Sequence, residues 1–291
     1  MKKLRPVKFH TFAGTNPDSM YNEYAPCDLL SPYIDKYWEF KGEVDKGMCF
    51  NILPDGCTDF IFTLGEVANA CGDTLTMHPY RSYFVGSMTK FSHLIAVSET
   101  IHMFGIRFRP CGVYRFVELP LPELTDKRIH TGELQTPFDD SVAERLCEKG
   151  YVQERIHFIE KYLLNHFFQS SCEEVDKSIL YAVNQINNSH GRQSVQALAD
   201  KMNVCQRHFE RKFKRFTGLT PKEYSRIMQF KNAVELLRTS NFDSLLSVAI
   251  SAGYYDVPHL SREIKRLSGN TPLSFLSAPE PKEVTLTYVR S

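Results

Sequence analysis

Phe209-Glu210-Arg211-Lys212-Phe213-Lys214-Arg215-Phe216-Thr217-Gly218-Leu219-Thr220-Pro221 is answered 51 residues later by Leu260-Ser261-Arg262-Glu263-Ile264-Lys265-Arg266-Leu267-Ser268-Gly269-Asn270-Thr271-Pro272. In both copies apolar residues fall at i, i+4 and i+7 while basic residues take the other faces, the pattern of a helix with one buried stripe. Each copy follows a shorter amphipathic run and a tight turn. These are Val195, Leu198 and Ala199 before Met202 to Cys205, and Leu245 to Ile250 before Ala252 to Tyr255. Two helix-turn-helix units in one chain imply the reading of duplex DNA.

The first unit predicts a helix from about Gln206 to Phe216 that buries Phe209, Phe213 and Phe216 and presents its basic residues outward. Such a helix fits a major groove about 12 Å wide, with the residues near its N-terminus reaching base edges. Arg207, Glu210 and Arg211 are therefore the base-contact candidates, since Arg pairs bidentately with guanine and Glu accepts from cytosine. Lys214 and Arg215, further along, are expected at phosphates. Gly218 stands where a left-handed cap ends the helix. Thr220-Pro221-Lys222-Glu223 then reads as a capping box that starts a long connecting helix, Pro221 to Arg238.

The second unit has a turn one residue longer, and its helix is expected from about Val257 to Leu267 with Asp256 as cap. His259, Ser261 and Arg262 are its outward candidates, with Lys265 beyond them. Pro258 sits in the first turn, where a missing N–H costs little. With less charge, this copy is expected to align the protein on DNA while the first supplies most of the specificity.

Net charge hides this division. Residues 178–277 carry 14 Lys and Arg against 7 Asp and Glu, whereas residues 1–177 carry 19 against 25, so an overall charge of +1 averages a basic and an acidic part. The basic part is the candidate nucleic-acid region. The front of the chain alternates short aromatic and β-branched runs, Asp35 to Phe40, Met48 to Leu53, Thr58 to Leu64, Tyr83 to Met88, His93 to Val97 and Ile101 to Phe108, split by turn signals such as Leu53-Pro54-Asp55-Gly56. That predicts a small barrel or rolled antiparallel sheet. Two helices within Ser141 to Phe168 close it. The expected class is thus α+β: residues 1–168 a mostly-β sensing or dimerising domain, 169–175 a polar linker, 176–277 an all-α DNA-binding domain, and 278–291 a tail.

Along Met103 to Arg109, alternation puts Phe104, Ile106 and Phe108 on one face and Arg107 and Arg109 on the other. Were the barrel interior on the arginine side, the pair would favour an anionic ligand. The simpler expectation is that both face solvent or pair with Asp55 or Asp59. Trp38, with Tyr37 and Phe40, lines a pocket in one reading and is plain core in the other. His78, His93 and His102 lack an H-x-H pair or a matching acidic triad, so no metal and no cofactor is expected. The eight cysteines contain no C-x-x-C pair and read as reduced thiols. Met1 to Phe12 has no apolar signal core, and no apolar run reaches the roughly 18 residues that span a bilayer, which predicts a cytoplasmic protein without a membrane partner.

Gly218 to Pro221, Gly269 to Pro272, Ala249-x-x-x-Gly253-Tyr254 and Leu260-Ser261-Arg262-x-Ile264-Lys265 together resemble the AraC/XylS family of bacterial transcription regulators. The resemblance implies promoter binding through both recognition helices, with Arg207, Glu210, Arg211, His259, Ser261 and Arg262 at DNA-contacting positions. It also implies activation rather than repression, with RNA polymerase as a partner. Leu53 to Phe60 and Gly105 to Pro110 resemble sensing domains attached to some of these regulators, implying an unidentified small-molecule effector or a homodimer contact. Three residues depart from the family pattern: Gln229 in place of Arg, Cys205 in place of a Ser cap, and Ile264 in place of an aromatic residue. Two other classes compete. One is an alkyl-transfer enzyme on a reactive cysteine, although Pro110-Cys111-Gly112 has no His or Arg following it; the other is a helical module that contacts only protein.

Overall fold

The computed structural model describes residues 21–65, 70–71, 75–169, 175–239, 242–276 and 286–289. Residues 170–174 of the expected linker, the first twenty residues, and most of the expected tail lie outside them. In chain order the strands are β1 (Tyr21–Tyr24), β2 (Ile34–Glu43), β3 (Cys49–Ile52), β4 (Thr58–Thr63), β5 (Ala70–Cys71), β6 (Thr76–Met77), β7 (Ser82–Val85), β8 (Ser92–Ile95), β9 (Thr100–Phe108), β10 (Arg128–His130) and β11 (Leu286–Val289). They form two antiparallel sheets, one ordered β1-β2-β9-β4-β7-β10 and the other β11-β3-β8-β5-β6.

Strand alternation decides what each face of the larger sheet meets. Phe104, Ile106 and Phe108 of β9 join Tyr37, Phe60 and Phe84 in a core against the helices. Ile101 and Met103 turn the other way and, with Trp38, Phe40 and Ile61, pack toward Phe50 and Leu94 of the smaller sheet. Gly105 is required on that inner face because the Trp38 ring lies over it: a Cβ there would stand 2.0 Å from Trp38 Cε2.

The helices are α1 (Leu121–Leu124), α2 (Asp140–Cys147), α3 (Val152–Gln169), α4 (Lys177–Asn188), α5 (Val195–Lys201), α6 (Gln206–Thr217), α7 (Pro221–Thr239), α8 (Leu245–Ser251) and α9 (Val257–Ser268). Helices α2 and α3 are the closing pair anticipated from the spacing of Val142, Leu146, Ile156, Ile159 and Leu163, all buried. Their core does not stop at the helices. It runs on through Val113 and Phe116 into Ile179, Leu198, Phe209, Phe213 and Phe216 of the first helix-turn-helix unit. The rings of Tyr114 and Phe216 meet edge to face at 5.0 Å between centroids. The second unit has its own smaller core, which Leu53 of the β3–β4 turn enters.

Candidate nucleic-acid interface

Helices α5 and α6 are joined by four residues, Met202 to Cys205, and α8 and α9 by five, Ala252 to Asp256. Each second helix is fixed from below by its stripe: Phe209, Phe213 and Phe216 in α6, and Leu260, Ile264 and Leu267 in α9, are at most 1% exposed. Both end on a left-handed glycine, Gly218 at φ 80° and Gly269 at φ 74°. The capping box forms as expected. The backbone N–H of Thr220 donates to Glu223 at 2.7 Å, and the N–H of Glu223 donates to the Thr220 hydroxyl at 3.2 Å. At the start of α9, Asp256 accepts from the His259 N–H at 2.7 Å, whereas Cys205 makes no side-chain cap bond at the start of α6.

On α6 the structure gathers Arg207, Glu210, Arg211 and Lys214 along one open groove, with His208 beside them. Arg207, Arg211 and Lys214 are exposed. Glu210 accepts from Gln206 at 2.7 Å, and Arg211 lies 3.4 Å from His208 Nδ1. Arg215 departs from this face. Its carbonyl accepts from the Tyr114 hydroxyl at 2.9 Å, and its guanidinium stands over Phe216. It therefore sits at the seam with the N-terminal part rather than among the groove residues, because one further position turns it about 100° around the helix. Lys212 turns away as well and pairs with Asp176 at the start of α4.

On α9, Arg262 and Lys265 are exposed, and His259 and Ser261 are half-buried. The His259 ring meets Tyr254 edge to face. Arg266 and Arg226 of α7 converge on Glu263, Arg226 bidentately at 2.7 and 3.1 Å and Arg266 at 3.1 Å. Burial would raise the Glu263 pKa, but the hydrogen bonds from both arginines outweigh it and hold the carboxyl below its ordinary value. The sequence reading missed this junction, since Arg226 lies 37 residues from Glu263 and only the folded chain brings them together. Gln229, one of the family departures, donates to the Gly253 carbonyl at 2.8 Å and so ties α7 to the second turn. Among the described residues, Arg207, Arg211, Lys214, Arg262 and Lys265 form no ion pair.

The N-terminal candidates separate. Trp38 and Arg107 line a cavity between the two sheets with room of about 50 Å³ for water centres, enough for a few waters. Arg109 is not there. It follows the end of β9, its side chain is 48% exposed, and it pairs with Asp35 at 3.1 Å and with the Ser31 carbonyl at 2.9 Å. The paired-arginine pocket therefore does not form. Arg107 is already matched, with Nη1 2.9 Å from Asp55 and Nε 3.1 Å from Asp59, which also accepts from Trp38 at 2.8 Å. Burial pushes the Asp59 carboxyl up, and Asp55 adds to this against the pull of Arg107. Burial acts on Asp55 as well, but Arg107 and Lys231 of α7 hold that carboxyl down.

Cys111 is 3% exposed, and burial pushes its thiol far up, the opposite of what a nucleophile needs. His102 pairs with Glu39 at 3.0 Å, and no group of three or more metal-ligating side chains occurs among the described residues. No helix of the described residues is long and apolar enough to cross a membrane.

Two capped units on a shared linking helix, with exposed basic faces, define a double helix-turn-helix protein of the DNA-binding class. Residues 198–278 match the family described as a helix-turn-helix domain, and residues 22–130 match a domain of unknown function, DUF6597. The HTH-type transcriptional activator RhaS of Escherichia fergusonii is 37% identical over 79 residues, which cover 27% of this chain and 28% of RhaS. The HTH-type transcriptional regulator ArgR of Pseudomonas aeruginosa is 22% identical over 183 residues, 63% of this chain and 52% of ArgR. The chain thus spans about half or less of the curated relatives it matches. Apo ToxT from Vibrio cholerae shares the fold, with a TM-score of 0.50 at 11% identity over 84% of this chain and 98% of that one. Residues 198–278 thus form a helix-turn-helix domain similar to those of the transcriptional regulators RhaS and ArgR.

Proposed function

We propose that this chain recognises a bipartite promoter site by placing α6 and α9 in successive major-groove segments, and that it activates transcription there together with RNA polymerase. The observation that carries this reading is the groove-side face of α6, where Arg207, Arg211 and Lys214 stand exposed on a helix that three buried phenylalanines hold in place. Arg207, Glu210 and Arg211 read base edges, as do His259, Ser261 and Arg262, while Lys214 and Lys265 meet phosphates. Both helices belong to one chain, so a single copy suffices for a bipartite site. The cavity at Trp38 and Arg107 seats a small, partly apolar effector. Because Arg107 is matched by two carboxylates, a bare anion is a poor fit there.

Binding of the full chain to duplex from the region upstream of its own gene, titrated against salt, tests the reading. The two phosphate contacts, at Lys214 and Lys265, make affinity fall by about tenfold between about 50 and 200 mM salt. Lys214→Ala lowers the slope of that dependence by about one. Affinity independent of salt, or a slope unchanged in the variant, counts against it.

A further inference from the structure

The two recognition helices are held at the same point of the repeat by side chains of the N-terminal part. At the end of α6, the Thr217 carbonyl accepts from the Ser87 hydroxyl at 2.8 Å and the Gly218 carbonyl accepts from the Thr125 hydroxyl at 2.8 Å. At the end of α9, the Ser268 carbonyl accepts from Asn51 Nδ2 at 3.0 Å. Thr217 and Ser268 are equivalent positions, 51 residues apart. The last carbonyls of a helix have no partner within it, and here donors from β3, from the residue after Gly86 and from the end of α1 satisfy them in place of water.

The capping glycines also lie close to side chains of the N-terminal part, Gly218 buried and Gly269 exposed. A Cβ on Gly218 would stand 3.0 Å from Thr125 Oγ1, and one on Gly269 would stand 2.8 Å from Phe91. Between these two points the turn of Gly56, at φ 83°, lies against α7, where a Cβ would come within 2.4 Å of the Tyr224 ring.

We propose that Asn51, Ser87 and Thr125 are positioning residues for DNA recognition: by gripping the C-termini of both recognition helices, they fix the distance and rotation between the two half-sites the protein accepts. This rests on α6 and α9 being the DNA-contacting helices. A hinged pair of units joined by α7 alone tolerates a change in half-site spacing, whereas a pair fastened to one double sheet does not. The grip also borders the cavity, since Ile52 and Gly86 line it and are the chain neighbours of Asn51 and Ser87. A molecule seated there presses next to both holds at once.

The test starts from duplexes that the full wild-type chain selects from a random-sequence library. One base pair is then inserted between the two half-sites, which displaces one by about 3.4 Å along the duplex. Wild-type affinity is expected to fall about tenfold or more on insertion, as for a mismatch in a read position. In Asn51→Ala, and separately in the near-isosteric Thr125→Val combined with Ser87→Ala, the same insertion is expected to cost about threefold or less. Thr125→Ser and Ser87→Thr keep the hydroxyl donors and retain the wild-type penalty. The two sides are independent, so a failure of Asn51→Ala to fold leaves the α6 grip to be read through the other variants. An insertion penalty equal to wild type in the folded variants overturns the grip while leaving DNA reading intact. A full chain that enriches no duplex overturns the DNA-reading assignment and the grip with it.

Discussion

The two helix-turn-helix copies share a repeat but send their charges to different places. In the first, Arg207, Arg211 and Lys214 stay exposed along one groove, and Lys212 reaches back to Asp176. In the second, proline at 258 stands in place of the first-turn arginine, Glu263 stands in place of Lys212, and Arg266 turns inward with Arg226 onto that glutamate. A charge in the second copy thus serves to lock α9 onto α7, while the matching charge in the first anchors α6 to α4. The copies differ at their starts too, since Asp256 caps α9 and nothing caps α6 from a side chain. The lesson is that a repeated motif can divide its labour. The first copy leaves Arg207, Arg211 and Lys214 exposed on one face and ties Lys212 to α4, whereas the second turns Arg266 onto its own Glu263 and leaves Arg262 and Lys265 exposed.

The largest effect that can break this comparison is on base reading. Arg211→Ala is expected to lose about 1–3 kcal/mol of discrimination at one base pair, and Arg262→Ala at the equivalent position less, measured by competition among duplexes with single-base changes. Equal losses in both would erase the proposed asymmetry.

Next in size is the acid response of the second copy. Because the folded carboxyl of Glu263 titrates below its ordinary value of 4.5, its stabilisation is present at neutral pH and is lost as pH falls below that value through the depressed pKa. Hydrogen exchange of α9 amides between pH 7 and pH 3 should show protection falling by about 1–2 kcal/mol, screened as the arginines are partly exposed. Glu263→Gln should flatten that pH response in α9.

The smallest expected effect concerns the caps. Cys205→Ser supplies an acceptor to the start of α6 and is expected to raise stability by about 0.5–1 kcal/mol in denaturant unfolding. No gain would mean that the N–H groups of the first turn are already satisfied another way, as the His208 N–H is by the Cys205 carbonyl at 3.0 Å.

Much of this was legible in the sequence, for local reasons. The six strands read from aromatic and β-branched runs between Asp35 and Phe108 all form, because such residues suit a pleated surface and Gly, Pro and Asp punctuate them. β1, β5, β6, β10 and β11 were not read. They are only two to four residues long, and each is a strand only because a partner strand completes its hydrogen bonds. At the interface, the 3.6-residue period separated Phe209, Phe213 and Phe216 from the exposed arginines without a structure. It could not show that Arg215 meets Tyr114 across 101 residues, that Arg226 meets Glu263, or that Arg109 leaves the cavity once β9 ends at Phe108. Long-range pairing carries no local signature.

The core that runs unbroken from Phe60 through Phe116 to Phe216 has a consequence for anyone who would transplant the reading head of this protein. Cutting the chain near residue 170 looks clean in sequence, yet it would strip one wall from Phe216, Leu219 and Tyr224 and present them to water. A graft onto another sensor needs a new apolar lid for that surface. In this molecule the boundary along the chain is not a boundary in space.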